Sequence, residues 1–123
     1  MMIARLALAG FLAVAAVPAA SAAAKASVYD GLWSVLIITE KGTCDRGYRY
    51  AVRIKNGRVG HADPASSSFR ISGSVGGSGA ARVSVARGDQ RASGTGRLSR
   101  NSGAGRWKSA QCSGVWQAER RGS

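Results

Sequence analysis

One short stretch of the sequence contains the residue types of a hydrolytic site. His61, the single histidine, precedes Asp63 by two positions, and three serines follow at positions 66–68. A serine–histidine–aspartate site needs its nucleophile, base and orienting acid in mutual hydrogen-bond contact, whereas these residues share one predicted strand and its loop. The sequence also lacks the G-x-S-x-G and H-E-x-x-H motifs. We therefore predict a surface histidine, no catalytic residue and a protein that is not an enzyme.

Ligands for a metal or a cofactor are equally scarce. A zinc site needs three or four cysteine, histidine or carboxylate ligands, and both cysteines are assigned to a disulfide below. The glycine-rich run at residues 76–79 lacks the lysine and the helix of a phosphate-binding loop. Without a C-x-x-C-H motif, haem could be held only by His61 or by a tyrosine such as Tyr48 or Tyr50. We predict no metal and no cofactor.

The amino-terminal residues have the layout of a secretory signal. Arg5 is basic, residues 6–17 are apolar, and Ala20-Ser21-Ala22 fits the small-x-small cleavage rule. The apolar run is shorter than the roughly 20 residues that span a bilayer. We expect cleavage near Ala22, with Ala24 as a close alternative, and a periplasmic or secreted protein without a transmembrane segment. The predicted organisation is a signal at 1–22, a linker at 23–28, one β domain at 29–120 and a tail at 121–123.

The two cysteines, Cys44 and Cys112, predict a disulfide. Exported proteins mature in oxidising compartments, where paired cysteines form a bridge by default. A domain of this size buries only a modest core, so a covalent link is useful. Closing a loop of this length stabilises a fold by roughly 4 kcal/mol in the chain-entropy model.

Alternation of apolar and polar residues dominates the chain from residue 29 onward and predicts strands. The strand predicted at 29–39 is apolar on both faces and should be the most buried. The strand at 47–55 alternates cleanly, and the Asn56-Gly57 pair after it is a strong signal for a tight hairpin. Further strands are predicted at 58–63, 69–75, around 81–85, 91–98, around 105–108 and 112–119.

Eight short strands at hairpin spacing predict an all-β antiparallel meander, which can close into a barrel or fold as a sandwich. The first and last strands of such a meander run antiparallel. Cys44 follows the first strand and Cys112 opens the last, so a bridge between them would join the two ends of the sheet. We therefore favour a closed or nearly closed up-and-down barrel.

Each of the three tryptophans has a glycine two positions earlier. Residues two apart lie on the same face of a strand, so each indole could lie over the glycine of its own strand. We expect the interior to be filled mainly by core aromatic residues, with an aromatic-lined ligand pocket as the alternative. Inward glycines and alanines leave room for a small cavity. The candidate core or pocket residues are Trp33, Tyr48, Tyr50, Trp107 and Trp116.

The chain is strongly basic, with 18 lysines and arginines against six acidic residues and a net charge of +12. Such a charge attracts polyanions, although it also serves simply to keep a protein soluble. The tyrosines alternate to the inner face, so stacking on single-stranded nucleic acid is not expected. The candidate anion-binding residues, around the hairpin and on the sixth and seventh strands, are Arg49, Arg53, Lys55, Arg58, Arg97, Arg106 and Lys108.

Three runs of the sequence, YDGLWSV at 29–35, KGTCDRGYRY at 41–50 and CSGVWQAER at 112–120, resemble a family of small exported bacterial proteins. The similarity extends over nearly the whole mature chain. Members often carry the description "large exoprotein involved in haem utilization or adhesion". The resemblance implies export and paired cysteines, and it implies no particular chemistry.

These observations leave three functional hypotheses. The first is an exported, non-enzymatic binding module whose basic outer face contacts an anionic glycolipid, lipid surface or polysaccharide. The second is a barrel that carries a small apolar or aromatic ligand, haem included. The third is an enzyme inhibitor that acts through a protruding loop at residues 60–68.

Overall fold

The computed structural model describes residues 26–123, and these form a closed barrel of eight antiparallel strands. The predicted signal at 1–22 lies outside the described residues. A 3₁₀ turn at Pro64–Ser66 follows the third strand. The strands are β1 (Gly31–Lys41), β2 (Gly47–Lys55), β3 (Arg58–His61), β4 (Arg70–Val75), β5 (Ala80–Arg87), β6 (Gln90–Leu98), β7 (Ser102–Ser109) and β8 (Ser113–Gly122).

The structure confirms the strongest local predictions from the sequence. Strand β2 has the predicted bounds, and the hairpin after it turns at Asn56 and Gly57 with positive φ angles of 54° and 77°. A tight hairpin turn needs this left-handed conformation at both central residues. At the other end of the chain, β8 continues to Gly122, into the predicted tail, because Gly122 pairs with Leu32.

Within residues 26–123 no helix has the length and apolarity that a membrane-spanning helix needs.

The barrel closes because β1 pairs with β2 on one side and with β8 on the other. The β1–β8 ladder extends from Leu32 to Lys41, and Lys41 lies opposite Ser113. The Cys44–Cys112 disulfide sits just beyond this pair and joins residues 68 positions apart, with 6.2 Å between their Cα atoms. The predicted closed barrel and its bridge at the β1–β8 seam are therefore confirmed.

Alternate residues of every strand face the interior. Val52, Ile54 and Val59 are buried there, and the polar residues between them are exposed. Strand β1 differs because it is apolar on both faces, as predicted, and no residue from Gly31 to Thr39 is exposed. The core thus follows the period-two pattern of the sequence.

The turn at Ser27–Asp30 covers the barrel end where β1 begins, which we call the closed end. Tyr29 and Trp33 fill it: the Trp33 indole is 1% exposed and donates a hydrogen bond of 2.8 Å to the Tyr29 carbonyl oxygen. The Arg120 guanidinium lies 4.9 Å from the centre of a Trp33 ring and donates to the carbonyl oxygens of Val28 and Asp30. Aromatic packing and a cation thus seal this end.

The carboxylate of Asp30 ties the closed end to the β2–β3 hairpin. It accepts hydrogen bonds from the backbone amides of Asn56, at 2.7 Å, and Gly57, at 3.0 Å. Desolvation alone would raise the pKa of Asp30, but these amides and Ser27 together lower it below the ordinary value of 3.8.

Breaking the disulfide should weaken the barrel without opening it. For the double variant Cys44→Ser/Cys112→Ser we expect a free energy of unfolding lower by up to about 4 kcal/mol, the chain-entropy value for a loop of this length. The β1–β8 hydrogen bonds remain. Urea unfolding followed by tryptophan fluorescence, with reduced wild type as a second sample, measures the loss. A double variant with the same free energy of unfolding as oxidised wild type would contradict this role of the disulfide.

Asp30→Asn should destabilise the protein by about 1 kcal/mol at neutral pH, the usual net value of a hydrogen bond. Because the folded pKa of Asp30 lies below the unfolded one, the stability from its carboxylate is present above the unfolded pKa and lost as the pH falls through the folded pKa. The difference between wild type and variant, measured by urea unfolding, should therefore shrink in acid. A constant difference across the acid range would contradict the assignment.

Candidate functional site

The interior of the barrel contains a cavity of about 210 Å³. It begins above the closed end, with Trp33 and Leu98 at its floor, and extends towards the opposite end of the barrel. Aliphatic side chains form much of its wall, among them Val35, Ile37, Val83 and Val85. Among residues 26–123, none that lines the cavity is charged.

Small residues make this space on one side of the barrel. Strand β6 places Ala92 and Gly94 in the cavity wall, where most other strands place valine, isoleucine or an aromatic ring. An eight-stranded barrel is just wide enough for its side chains to fill the interior or to enclose one small ligand. Because Ala92 and Gly94 of β6 are small, the side chains of this barrel do not fill its interior.

Trp116 covers glycines of β6 and β7 instead of the glycine two positions earlier in its own strand. A Cβ atom built on Gly96 or Gly105 would lie within 3 Å of its indole ring. The space above Gly114, in contrast, is occupied by the backbone of Ile38 on β1. The predicted pairing of an indole with its own strand's glycine is therefore wrong for Trp116, because its glycine partners are set by the register between strands.

All three indole N–H groups already have acceptors. Trp33 donates to the Tyr29 carbonyl at 2.8 Å, Trp107 to that of Ile38 at 3.0 Å and Trp116 to that of Thr95 at 3.2 Å. The tryptophans therefore present carbon surfaces to the cavity, and their polar atoms belong to the wall. Trp33 and Trp116 are buried in the core, whereas Trp107 is only partly buried.

The open end of the cavity is ringed by three aromatic side chains, which we call the aromatic mouth: Tyr48, Tyr50 and Phe69. The ring centres of Tyr48 lie 5.6 Å from those of both Tyr50 and Phe69, and Tyr50 and Phe69 are stacked at 6.5 Å. These separations suit favourable aromatic packing. Tyr48 is 41% exposed, so the mouth reaches solvent.

A cation lies on the outer side of the mouth. The guanidinium of Arg87, at the end of β5, sits 5.2 Å from the centre of the Phe69 ring. Neither residue was among the candidate site residues predicted from the sequence. Phe69 was expected to begin the strand at 69–75 but lies one residue before β4, and its contact with β2 and β5 depends on barrel closure.

Tyr50 occupies the boundary between the mouth and the cavity. Burial, and to a smaller extent the charge of Tyr48, raise the pKa of its phenol to about 12. The phenol of Tyr50 is therefore neutral at any physiological pH and can offer one hydrogen-bond donor at the top of the cavity.

The histidine and serines that suggested chemistry take part in local turns. The Nδ1 atom of His61 accepts a hydrogen bond of 2.9 Å from the Asp63 amide, and the hydroxyl of Ser67 accepts one of 3.0 Å from the Phe69 amide. Over residues 26–123 no group of three or more histidines, cysteines and carboxylates is arranged to hold a metal ion. His61 is also not among the cavity-lining residues.

The seven predicted anion-binding residues fall on two different faces. Arg49 and Arg53 lie on the outer face of β2, beside the apolar outer residues of β1, and Arg49 donates to the Ser34 hydroxyl at 2.8 Å. Lys55 and Arg58 face each other across the hairpin. On the opposite side of the barrel, β6 and β7 carry Arg97, Arg106 and Lys108. The barrel does not gather the seven into one site.

Tyr50 should make stability fall in alkali. The phenol of Tyr50 ionises near its ordinary pKa of 10.0 in the unfolded chain and at about 12 in the folded protein. The stability that comes from this difference is therefore full below pH 10 and is lost as the pH rises through the folded pKa. Tyr50→Phe should show a shallower decline in urea-unfolding free energy over this interval. Identical pH profiles for both proteins would contradict burial of the phenol.

Comparison of the chain with protein-family models, with curated proteins and with solved structures found no match. Membership of the family of small exported proteins therefore stays a prediction.

Proposed function

We propose that this protein binds a small apolar or aromatic molecule inside its barrel and carries it in the compartment to which the chain is exported. The cavity of about 210 Å³, apolar along its wall and open at the aromatic mouth, is the observation that supports this function. Proteins bind small molecules in concave, mainly apolar sites with a few placed polar groups. The barrel interior has this character.

The size of the cavity limits the ligand. An engineered apolar cavity of roughly 150 Å³ in another protein takes up benzene, so a cavity of about 210 Å³ suits a molecule of one or two fused rings or a short branched chain. Sites for drug-sized ligands are larger, roughly 300–1,000 Å³. Haem exceeds the space inside this barrel, and we do not retain it as the ligand.

The chemistry of the wall limits the ligand further. The indole N–H groups are engaged by backbone carbonyls, and the described part of the chain contributes no carboxylate, imidazole or ammonium group to the lining. A ligand group with many hydrogen-bonding atoms would lose its water without finding partners, at a cost of about 1–3 kcal/mol for each unsatisfied group. A single polar atom next to the Tyr48 and Tyr50 hydroxyls at the mouth is compatible with this wall.

Partly filling the cavity should weaken binding, whereas the same substitution on the outer face of the barrel should not. Ala92 of β6 lines the cavity, and Ala104 of β7 is exposed on the outer face. We expect naphthalene and indole to bind wild type and Ala104→Leu with similar affinity. Binding to Ala92→Leu should be weaker by about tenfold, equivalent to about 1.4 kcal/mol.

Isothermal calorimetry measures the affinities, and the shift of the thermal midpoint with ligand concentration gives a second readout. Saturable binding that is equal in all three proteins would place the ligand elsewhere. Absence of saturable binding to wild type, for both neutral aromatic probes, would overturn the proposal.

A further inference from the structure

The outer surface of strands β4 to β7 carries positive charge without any acidic residue. These four strands contain no aspartate or glutamate. Their outward side chains are otherwise serine, threonine and alanine. We call this surface the basic face, and its exposed cationic residues are Arg70, Arg82, Arg91, Arg97, Arg106 and Lys108.

The register of the strands arranges these cations in rows around the barrel. One row passes from Arg82 through Thr95 to Arg106, each directly opposite the next. Because neighbouring strands are about 4.8 Å apart, cations on alternate strands are about 10 Å apart. A second row places Arg70 and Arg91 on either side of Ala86, which is buried although it points outward. The stems of the two arginines therefore flank this alanine and hold their charged ends above it.

A row of hydroxyl groups runs between the rows of cations. Ser72, Ser84 and Ser93 lie side by side on β4, β5 and β6, and Lys108 of β7 follows Ser93 in the same row. Serine hydroxyls both donate and accept hydrogen bonds. Together with arginine forks and a lysine they offer the groups that bind sulfate, phosphate and carboxylate.

The basic face is also indented. Two shallow depressions flank the Ser93–Lys108 pair, one of about 270 Å³ that includes Arg106 and one of about 440 Å³ that includes Arg91. They arise because the outward side chains of β6 and β7 are small between the long cationic ones. Each depression can therefore receive an anionic group next to both a cation and a hydroxyl.

The cations at the centre of this face have no partner among residues 26–123. Arg82, Arg91, Arg106 and Lys108 make no hydrogen bond or ion pair within the described part of the chain. Several basic residues elsewhere are engaged in the fold, as Arg49 is by Ser34 and Arg120 by the closed end. The four charges at the centre of the basic face are therefore available to a ligand, whereas Arg97 at its edge donates to the Ser78 carbonyl oxygen at 3.1 Å.

We propose that the basic face binds a linear acidic polysaccharide through its sulfate, phosphate or carboxylate groups. The outward positions of β4 to β7 carry no aromatic residue, and Trp107, which lines the depression of about 270 Å³, packs against the interior core. Bases of single-stranded nucleic acid would therefore find no row of exposed aromatic rings to stack on. The outward positions also carry no large apolar residue that could anchor in a bilayer. A flexible polymer can follow the convex barrel wall across several strands, which a flat membrane cannot do.

Removing two charges from the basic face should weaken binding far more than removing two charges elsewhere. The test variant is Arg82→Gln/Arg106→Gln. The matched control is Arg46→Gln/Arg53→Gln, which has the same net charge and alters two exposed residues outside the face. With dextran sulfate at low salt we expect a loss of about tenfold or more for the test variant, a much smaller loss for the control, and no binding to neutral dextran.

Binding should also fall steeply as sodium chloride is added, because salt screens the exposed charges. Equal losses in the two double variants would show that net charge alone attracts the polymer and would overturn the assignment of the face. Tighter binding to vesicles of anionic lipid, or to single-stranded DNA, than to dextran sulfate of equal charge would identify a different partner. Thermal unfolding of each variant confirms that it is folded.

Discussion

Closure of the sheet between β1 and β8 is the constraint on which both surfaces of this protein depend. The ladder from Leu32 to Lys41, with the Cys44–Cys112 bridge at its end, leaves no free sheet edge and defines an inside and an outside. Once the barrel is closed, its radius is set by the number and tilt of its strands. The sizes of the inward side chains then determine whether the interior is packed or hollow.

The distribution of large and small residues settles that question. The closed end is filled by Tyr29 and Trp33, while β6 contributes alanine and glycine to the wall higher up. Trp116 lies flat over the glycines of β6 and β7, so an aromatic ring that could occupy the centre of the barrel covers the wall instead. Trp116 therefore packs against the part of the wall where β6 and β7 carry glycine. The space between the closed end and the aromatic mouth stays empty.

Much of the fold was predictable because its determinants are local. Alternation specified the strands, Asn56 and Gly57 specified one hairpin, and two cysteines in a chain predicted to be exported favoured closure. The site was less predictable because its determinants lie in the register between strands. The meeting of Phe69 with Tyr48, the row from Arg82 to Arg106 and the glycines beneath Trp116 each depend on which residues become opposite one another. No signal within a single strand encodes those pairings.

The period of two that builds the barrel also separates its two chemistries. On β6, Ala92 and Gly94 face the cavity, and the side chains of Arg91 and Thr95 point to the basic face. A slip of one residue in the pairing of this strand would exchange the two sets, placing cations in an apolar interior and alanine outside. Burying an unpaired guanidinium is far more costly than any gain on the outer face. The cost of burying these arginines therefore fixes the register of β6. The charges that we propose to bind a polymer on the outer face thus also keep the interior of the barrel apolar.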